Sequence, residues 1–215
     1  EIEHMRTSKG ALREGVIYDL MGRLSHEDVR ERTVNALMQR YAADADIAAI
    51  VEQRVRTLYA GTSKTWGLTR EDRELLRWAA RTHEIGMAIS HKQFNRHTAY
   101  LLRNADLPGF SQPEQEQLAV LTMGHRSKLA DELFAEVTDA DLPRLRYMVA
   151  IMRIATCFKY AEKQEPPPDF SVRAEPQSLR LDFPAGWLDE HPLTAQELQD
   201  ERGALANLGL ELEIH

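Results

Sequence analysis

Apolar side chains recur three and four positions apart through most of this chain, the spacing of helices that bury one face. Val34, Leu37, Met38 and Tyr41 fall on one such face, and Ile47, Ile50, Val51, Val55, Leu58 and Tyr59 on a longer one. Asp44 stands ahead of the second run as its N-cap. The cluster Gly61, Thr62, Ser63 and Gly67 predicts a loop over 61–68. Thr69 with Asp72 forms a capping arrangement that opens a helix over 70–84, with Gly86 at or just past its end. A further helix is predicted over 97–104, followed by a turn at Leu107-Pro-Gly-Phe110. Ser111 and Glu114, with Pro113 between them, make a better capping box for a helix running to Met123. The stretch 145–162 is apolar on most sides and is predicted as the central buried helix.

The pattern changes at Pro166-Pro167-Pro168, where three prolines stiffen the chain and mark a boundary. Beyond them Phe170–Val172, Leu179–Phe183 and Leu210–Ile214 alternate apolar and polar like short strands. Thr194, followed by Glu197, is expected to cap a helix between the last two. The fold class is therefore mainly α, followed by a small α/β unit of about 50 residues, too small to hold a confident core alone. It is expected to pack on the helices or on a partner.

Composition narrows the class. A chain of 215 residues forms one good-sized domain, or one with a small appendage, without covalent staples. With 43% hydrophobic and 28% charged residues it reads as soluble and globular. The lone Cys157 excludes an internal disulfide framework and, lying in an apolar run, reads as a small core residue. A cytoplasmic location is expected. No stretch approaches the ~20 apolar residues that span a bilayer. The charged start, Glu1 to Arg6, has no signal-peptide character and no initiator Met, and it reads as a piece of a longer chain.

A net charge of −7 argues against a general nucleic-acid or membrane binder. The basic residues are nevertheless concentrated. Between Glu84 and Asp106 there is no acid, and His91, Lys92, Arg96, His97 and Arg103 all fall inside. A second acid-free window, between Glu116 and Asp131, holds His125, Arg126 and Lys128. Such cations near helix ends suit phosphate oxygens, because guanidinium forks add to backbone N–H donors. The bland alternative is a solvated helix face. Two windows, each with His beside its cations, tilt the reading toward binding; Arg13 and Arg30 are weaker additions.

Metal chemistry rests on His83-Glu84, with His97 and His125 as further ligands in an alternative reading. His-Glu pairs are common, and Met87 stands where a His-Glu-x-x-His motif needs its second His. The stretch Gly10–Gly15 lacks the glycine and lysine order of a P-loop, and Ser8 as a helix cap accounts for it equally well. Ser8 and Ser25 have no neighbouring base, and there is no Gly-x-Ser-x-Gly elbow.

Together these stretches resemble the C-terminal part of the exopolyphosphatase / guanosine pentaphosphate phosphohydrolase (Ppx/GppA) family. The resemblance rests on Ala11-Leu-Arg-Glu-Gly-Val-Ile-Tyr18, Asp28-Val-Arg-Glu-Arg-Thr-Val34, Leu76-Arg-Trp-Ala-Ala-Arg-Thr-His-Glu-Ile-Gly86 and Ile89-Ser-His-Lys92. His97-Thr-Ala-Tyr100, Asn104-Ala-Asp-Leu-Pro-Gly-Phe110, Glu114-Gln115, His125-Arg126, Trp187-Leu188 and Pro192-Leu-Thr194 follow in order. The resemblance implies a tail of a preceding actin-like domain over 1–22, an HD-like all-α domain over 23–165 and a small α/β domain over 166–215. It implies that the catalytic glutamate, phosphate loops and Mg²⁺ belong to actin-like domains absent from this chain, which itself would need no cofactor.

The same resemblance implies that these parts dimerise and hold long polyphosphate. A working HD site resembles His…His-Asp…Asp around one or two metals. Here Glu84 replaces the Asp, Ile47 and Ala48 stand near the first His, and 145–161 carries Thr156 but no acid. The site reads as retired. The expected function is the polyphosphate-binding and dimerising part of an exopolyphosphatase, inactive alone. The same role in a guanosine pentaphosphate phosphohydrolase, or a self-sufficient HD phosphohydrolase, is the alternative.

Overall fold

In a computed structural model the residues described are 29–126, 128–129, 131–158 and 170–215. The boundaries expected at 22/23 and 165/166, the Gly10–Gly15 stretch and Arg13 lie outside them.

Helix α1 covers Val29–Arg40 and α2 covers Ala45–Trp66. Asp44 caps α2 as expected, its carboxylate accepting from the N–H groups of Asp46 and Ile47 at 3.0 Å. Residues 61–66 of the loop expected over 61–68 are instead the last turns of this helix. A mid-helix glycine costs about 1 kcal/mol in isolation, but here tertiary packing overrides that cost. Gly61 lies so close to Val172 that an added Cβ would stand 2.6 Å from the valine Cβ. Thr62 is buried, and its hydroxyl donates to the Leu58 carbonyl at 2.8 Å. The helix stops only at Gly67, whose left-handed φ of 65° lets its N–H reach the Ser63 carbonyl.

Helix α3, Arg70–Thr82, opens with the Thr69/Asp72 capping box. A 3₁₀ turn over Ile85–Ala88 follows, so α3 ends before Gly86, which packs against Phe94 and Thr98. Helix α4 runs Phe94–Asn104, one turn longer at its start than expected. Helix α5, Gln112–Gly124, carries the second capping box, Ser111/Glu114. A second 3₁₀ turn spans Asp131–Phe134. Helix α6, Leu142–Cys157, is the central one: every residue from Met148 to Ala155 is buried.

The remainder is a hairpin of β1 (Ser171–Glu175) and β2 (Ser178–Asp182), followed by α7 (Trp187–Glu190), α8 (Pro192–Asn207) and β3 (Glu211–Ile214). Strands β1 and β2 pair antiparallel, with Ser171 opposite Asp182, while β2 and β3 pair parallel, with Leu179 opposite Leu212. The parallel pair needs a crossover, and α8 supplies it. His191, not Thr194, occupies the N-cap of α8; Thr194 lies inside the first turn and is buried.

This small sheet is not a separate body. Its buried Leu179 and Leu181 belong to the same core as Val51, Leu58 and Met148. Trp66 stacks on Tyr147 with ring centroids 4.6 Å apart, and its indole N–H donates to the Glu175 carbonyl at 2.8 Å. Arg153 on α6, 4% exposed, makes a two-pronged bond to Glu201 on α8. Among the described residues no helix is long and apolar enough to cross a membrane.

Candidate functional site

Two regions carry the residues singled out above. The first is the His83-Glu84 region. His83 is the C-cap of α3 and His125 the C-cap of α5, and both are buried. The last carbonyls of a helix lack intrahelical donors. Each histidine turns its ring back to satisfy one: His83 Nδ1 meets the Ala80 carbonyl at 2.7 Å, and His125 Nδ1 the Thr122 carbonyl at 2.6 Å. Each contact needs the proton on Nδ1, which fixes the tautomer and aims Nε2 away from the cap. Glu84 sits beside His83, with Oε1 3.6 Å from Nε2.

The other positions that an HD site would use are occupied as the sequence suggested. Ile47 and Ala48 are buried apolar groups on α2, and Thr156 on α6 donates to the His125 carbonyl at 3.4 Å. His97 is half-buried on α4. Among the described residues no three His, Cys, Asp or Glu side chains gather as metal ligands, so His83, Glu84, His97 and His125 do not converge on one ion.

The second region is built on the hairpin of α4 and α5. At the closed end of the hairpin Arg103 makes a two-pronged bond to Glu116 at 2.6 and 2.7 Å. The Glu116 hydrogen bond raises the guanidinium pKa further, against the opposing effect of burial. Its charge is thereby compensated. At the open end Asn95 donates to the Met123 carbonyl at 2.8 Å and ties the two helices together.

There the two acid-free windows meet. Arg96 from the first and Lys128 from the second line one small cleft of about 80 Å³, together with Gln93, Asn95, Met123 and Gly124. Both cations are exposed, and among the described residues neither has a carboxylate at ion-pair distance. Arg126 lies over the Phe94 ring, 4.7 Å from its centroid, which anchors it beside the same helix start.

Gln93 is the N-cap of α4, held at a left-handed φ of 56° with no side-chain cap bond. The positive end of the α4 dipole adds to the cationic field there. Lys92 and His91 are exposed in the preceding turn.

Arg30 is elsewhere. It pairs with Glu114 at 3.0 Å, lies over Trp78 and lines a different cleft with Arg70, Arg77 and Arg144. Sequence reasoning missed Gln93 and Asn95, since neither amide carries a charge signal. A left-handed backbone at a glutamine has no signature in the sequence.

The fold and clefts define an α-helical domain with a small sheet packed on it, cationic at one cleft and built around two capping histidines. Residues 29–202 match the model of Ppx/GppA phosphatase, domain III, and the chain belongs to that family. It is 36% identical over 216 residues to the guanosine-5'-triphosphate,3'-diphosphate pyrophosphatase of Pseudoalteromonas translucida, an alignment covering 100% of this chain and 43% of that protein. It is 37% identical over 204 residues to the protein of the same name from Aeromonas hydrophila, covering 93% of this chain and 40% of the relative. The chain thus spans about two-fifths of the length of the curated relatives it matches.

Proposed function

We propose that this chain is the anion-holding part of a phosphoanhydride-cleaving enzyme whose substrate is guanosine pentaphosphate. The observation that carries the reading is the meeting of Arg96 and Lys128 on one cleft at the start of α4. Lys92 and Arg126 extend the cationic face, and His91 and His97 border it. His125 holds the end of α5 as a cap, while Arg103 is neutralised at the far end of the hairpin. The names of the relatives support the guanosine compound over inorganic polyphosphate, the first expectation. Polyphosphate remains the second reading, because a cationic cleft takes either phosphate chain. The cutting step, with its Mg²⁺ and catalytic glutamate, is assigned to actin-like domains that the family resemblance implies, and a homodimer is part of the same proposal.

Isothermal titration at low salt tests it. The chain is expected to bind both guanosine pentaphosphate and tripolyphosphate, to lose affinity steeply as salt rises and to release no phosphate. Counterion release makes such salt dependence the signature of a polyanion contact. Absence of binding at low salt overturns the proposal. Metal-dependent phosphate release by the chain alone would replace it with the self-sufficient phosphohydrolase reading.

A further inference from the structure

The small sheet runs in the order β1–β2–β3, so β1 and β3 are its edges. Helix α2 lies against the first: Gly61 packs on Val172, and the Trp66 indole N–H donates to the Glu175 carbonyl. The second edge is open. Glu211 and His215 turn their N–H groups to β2, donating to the Gln177 carbonyl at 2.8 Å and the Leu181 carbonyl at 3.0 Å. The two-residue alternation of a strand therefore turns the N–H and C=O of Leu212 and Ile214 the other way, as the free row of an edge strand. Among the described residues no backbone group or side chain takes them up. A groove of about 640 Å³ runs beside them, walled by Arg202 and Ala206 of α8 and by Leu210.

The two faces of β3 restrict what can fill it. Leu212 is buried and Ile214 half-buried, so an added strand meets apolar groups on that face. Glu211 and Glu213 lie on the opposite face. Glu211 is exposed and has no cation at ion-pair distance among the described residues. Glu213 is held loosely, 3.9 Å from Arg180 and 3.6 Å from His215. The groove sets these two acids against one arginine, Arg202. A second copy of the strand is a poor occupant. The antiparallel register that sets Leu212 against Ile214 brings the two Glu213 side chains opposite each other, and the register centred on Leu212 sets Glu211 against Glu213. Like charges directly opposite destabilise a strand pair. The acids thus guard β3 from pairing with itself and favour a cationic strand.

We propose that the free edge of β3 takes an extended segment of a partner protein in which basic and apolar side chains alternate. Main-chain bonds to Leu212 and Ile214 hold the added strand. Its apolar side chains enter the groove beside Ala206 and Leu210, and its cations face Glu211 and Glu213. This surface shares no residue with the Arg96–Lys128 cleft, so it does not depend on the phosphate reading.

The test is titration of the whole 215-residue chain with three capped peptides: alternating lysine and valine, alternating glutamate and valine, and the lysine–valine peptide with its amides N-methylated. The lysine–valine peptide is expected to bind about tenfold tighter than the glutamate–valine one, and N-methylation should abolish binding. Glu211→Lys, at an exposed position that does not threaten folding, should narrow the preference. Ile214→Pro, which removes an N–H that serves no ladder bond, should weaken the lysine–valine peptide. Equal affinity for the two charged peptides overturns the proposal, as does a lysine–valine peptide that fails to bind. Undiminished binding of the N-methylated peptide also overturns it, because charge alone would then account for the contact. Sedimentation of the chain without peptide covers the remaining occupant: a dimer that I214P dissociates would assign the edge to a second copy and overturn the proposal.

Discussion

The rings of His83 and His125 meet edge to face, with centroids 5.3 Å apart and planes at 90°. One caps α3 and the other caps α5, so this contact joins the ends of two helices rather than gathering ligands. Histidine pairs in a helical phosphatase domain invite a metal reading from sequence. Each Nδ1 is committed to a carbonyl three residues back, and the neighbouring positions that would complete a ligand set hold Ile47, Ala48 and Thr156.

Replacing His83 by Ala is therefore expected to act on stability. The Ala80 carbonyl loses its donor in a buried place, and the packed ring is removed, which should cost about 1–3 kcal/mol. Urea denaturation reads the loss. Tripolyphosphate affinity of the folded variant should stay within twofold of the wild type, because His83 does not line the Arg96–Lys128 cleft.

The arginines of α4 should separate by role. Arg96→Ala, or Lys128→Ala, is expected to weaken tripolyphosphate binding and to flatten the dependence of log affinity on log salt, each removing about one ionic contact. Arg103→Ala should leave the affinity nearly unchanged, since that guanidinium already serves Glu116. Titrations at several salt concentrations distinguish the cases.

Glu201→Ala takes the two-pronged carboxylate away from the buried Arg153 guanidinium, while the bond to the Gly124 carbonyl at 2.7 Å stays. Breaking a buried pair from one side costs about 3–5 kcal/mol because the remaining charge is left in a poor solvent. Arg153→Met removes that charge and should cost less. Comparing the two denaturation midpoints tests whether the charge kept in the interior, rather than the lost contact, dominates.

Acid should loosen the junction of α1 and α3. Burial pushes the Glu31 carboxyl up, but hydrogen bonds from Arg81 and Arg77 outweigh it and hold the pKa below the ordinary 4.5. A carboxyl depressed in the folded state stabilises it above the unfolded value and loses that contribution as pH falls through the folded one. Stability should therefore fall as pH drops below about 4.5, and Glu31→Gln should flatten that part of the profile in thermal melts.

Gly61→Ala provides a sign test. Helix propensity alone favours alanine by about 1 kcal/mol. The added methyl would meet the Val172 Cβ at 2.6 Å and its backbone carbonyl at 2.7 Å, and backbone yields little. The net effect is expected to be destabilising by about 1–3 kcal/mol, read by chemical denaturation.

The local rules carried much of the architecture. Asp44, Thr69 and Ser111 cap the helices they were expected to cap, because capping is decided within four residues of the chain. The apolar stretch that became α6 was legible for the same reason: a helix without a polar face has to be buried. The alternation in β1, β2 and β3 located the strands, although not their mixed parallel and antiparallel order. The two acid-free windows also announced themselves, as did the gaps in the HD pattern.

What the sequence did not contain was which groups meet. Gly61–Leu68 reads as a loop, yet Val172, more than a hundred positions away, packs against Gly61 and the chain stays helical to Trp66. Arg96 and Arg103 look equivalent on one helix, yet Glu116 neutralises only the second. Gln93 and Asn95 carry no charge or periodic signal, so only packing places them at a cleft. Capping and patterning depend on neighbours along the chain and survive in one dimension; charge compensation and burial depend on neighbours in space, and the tertiary fold alone assigns those.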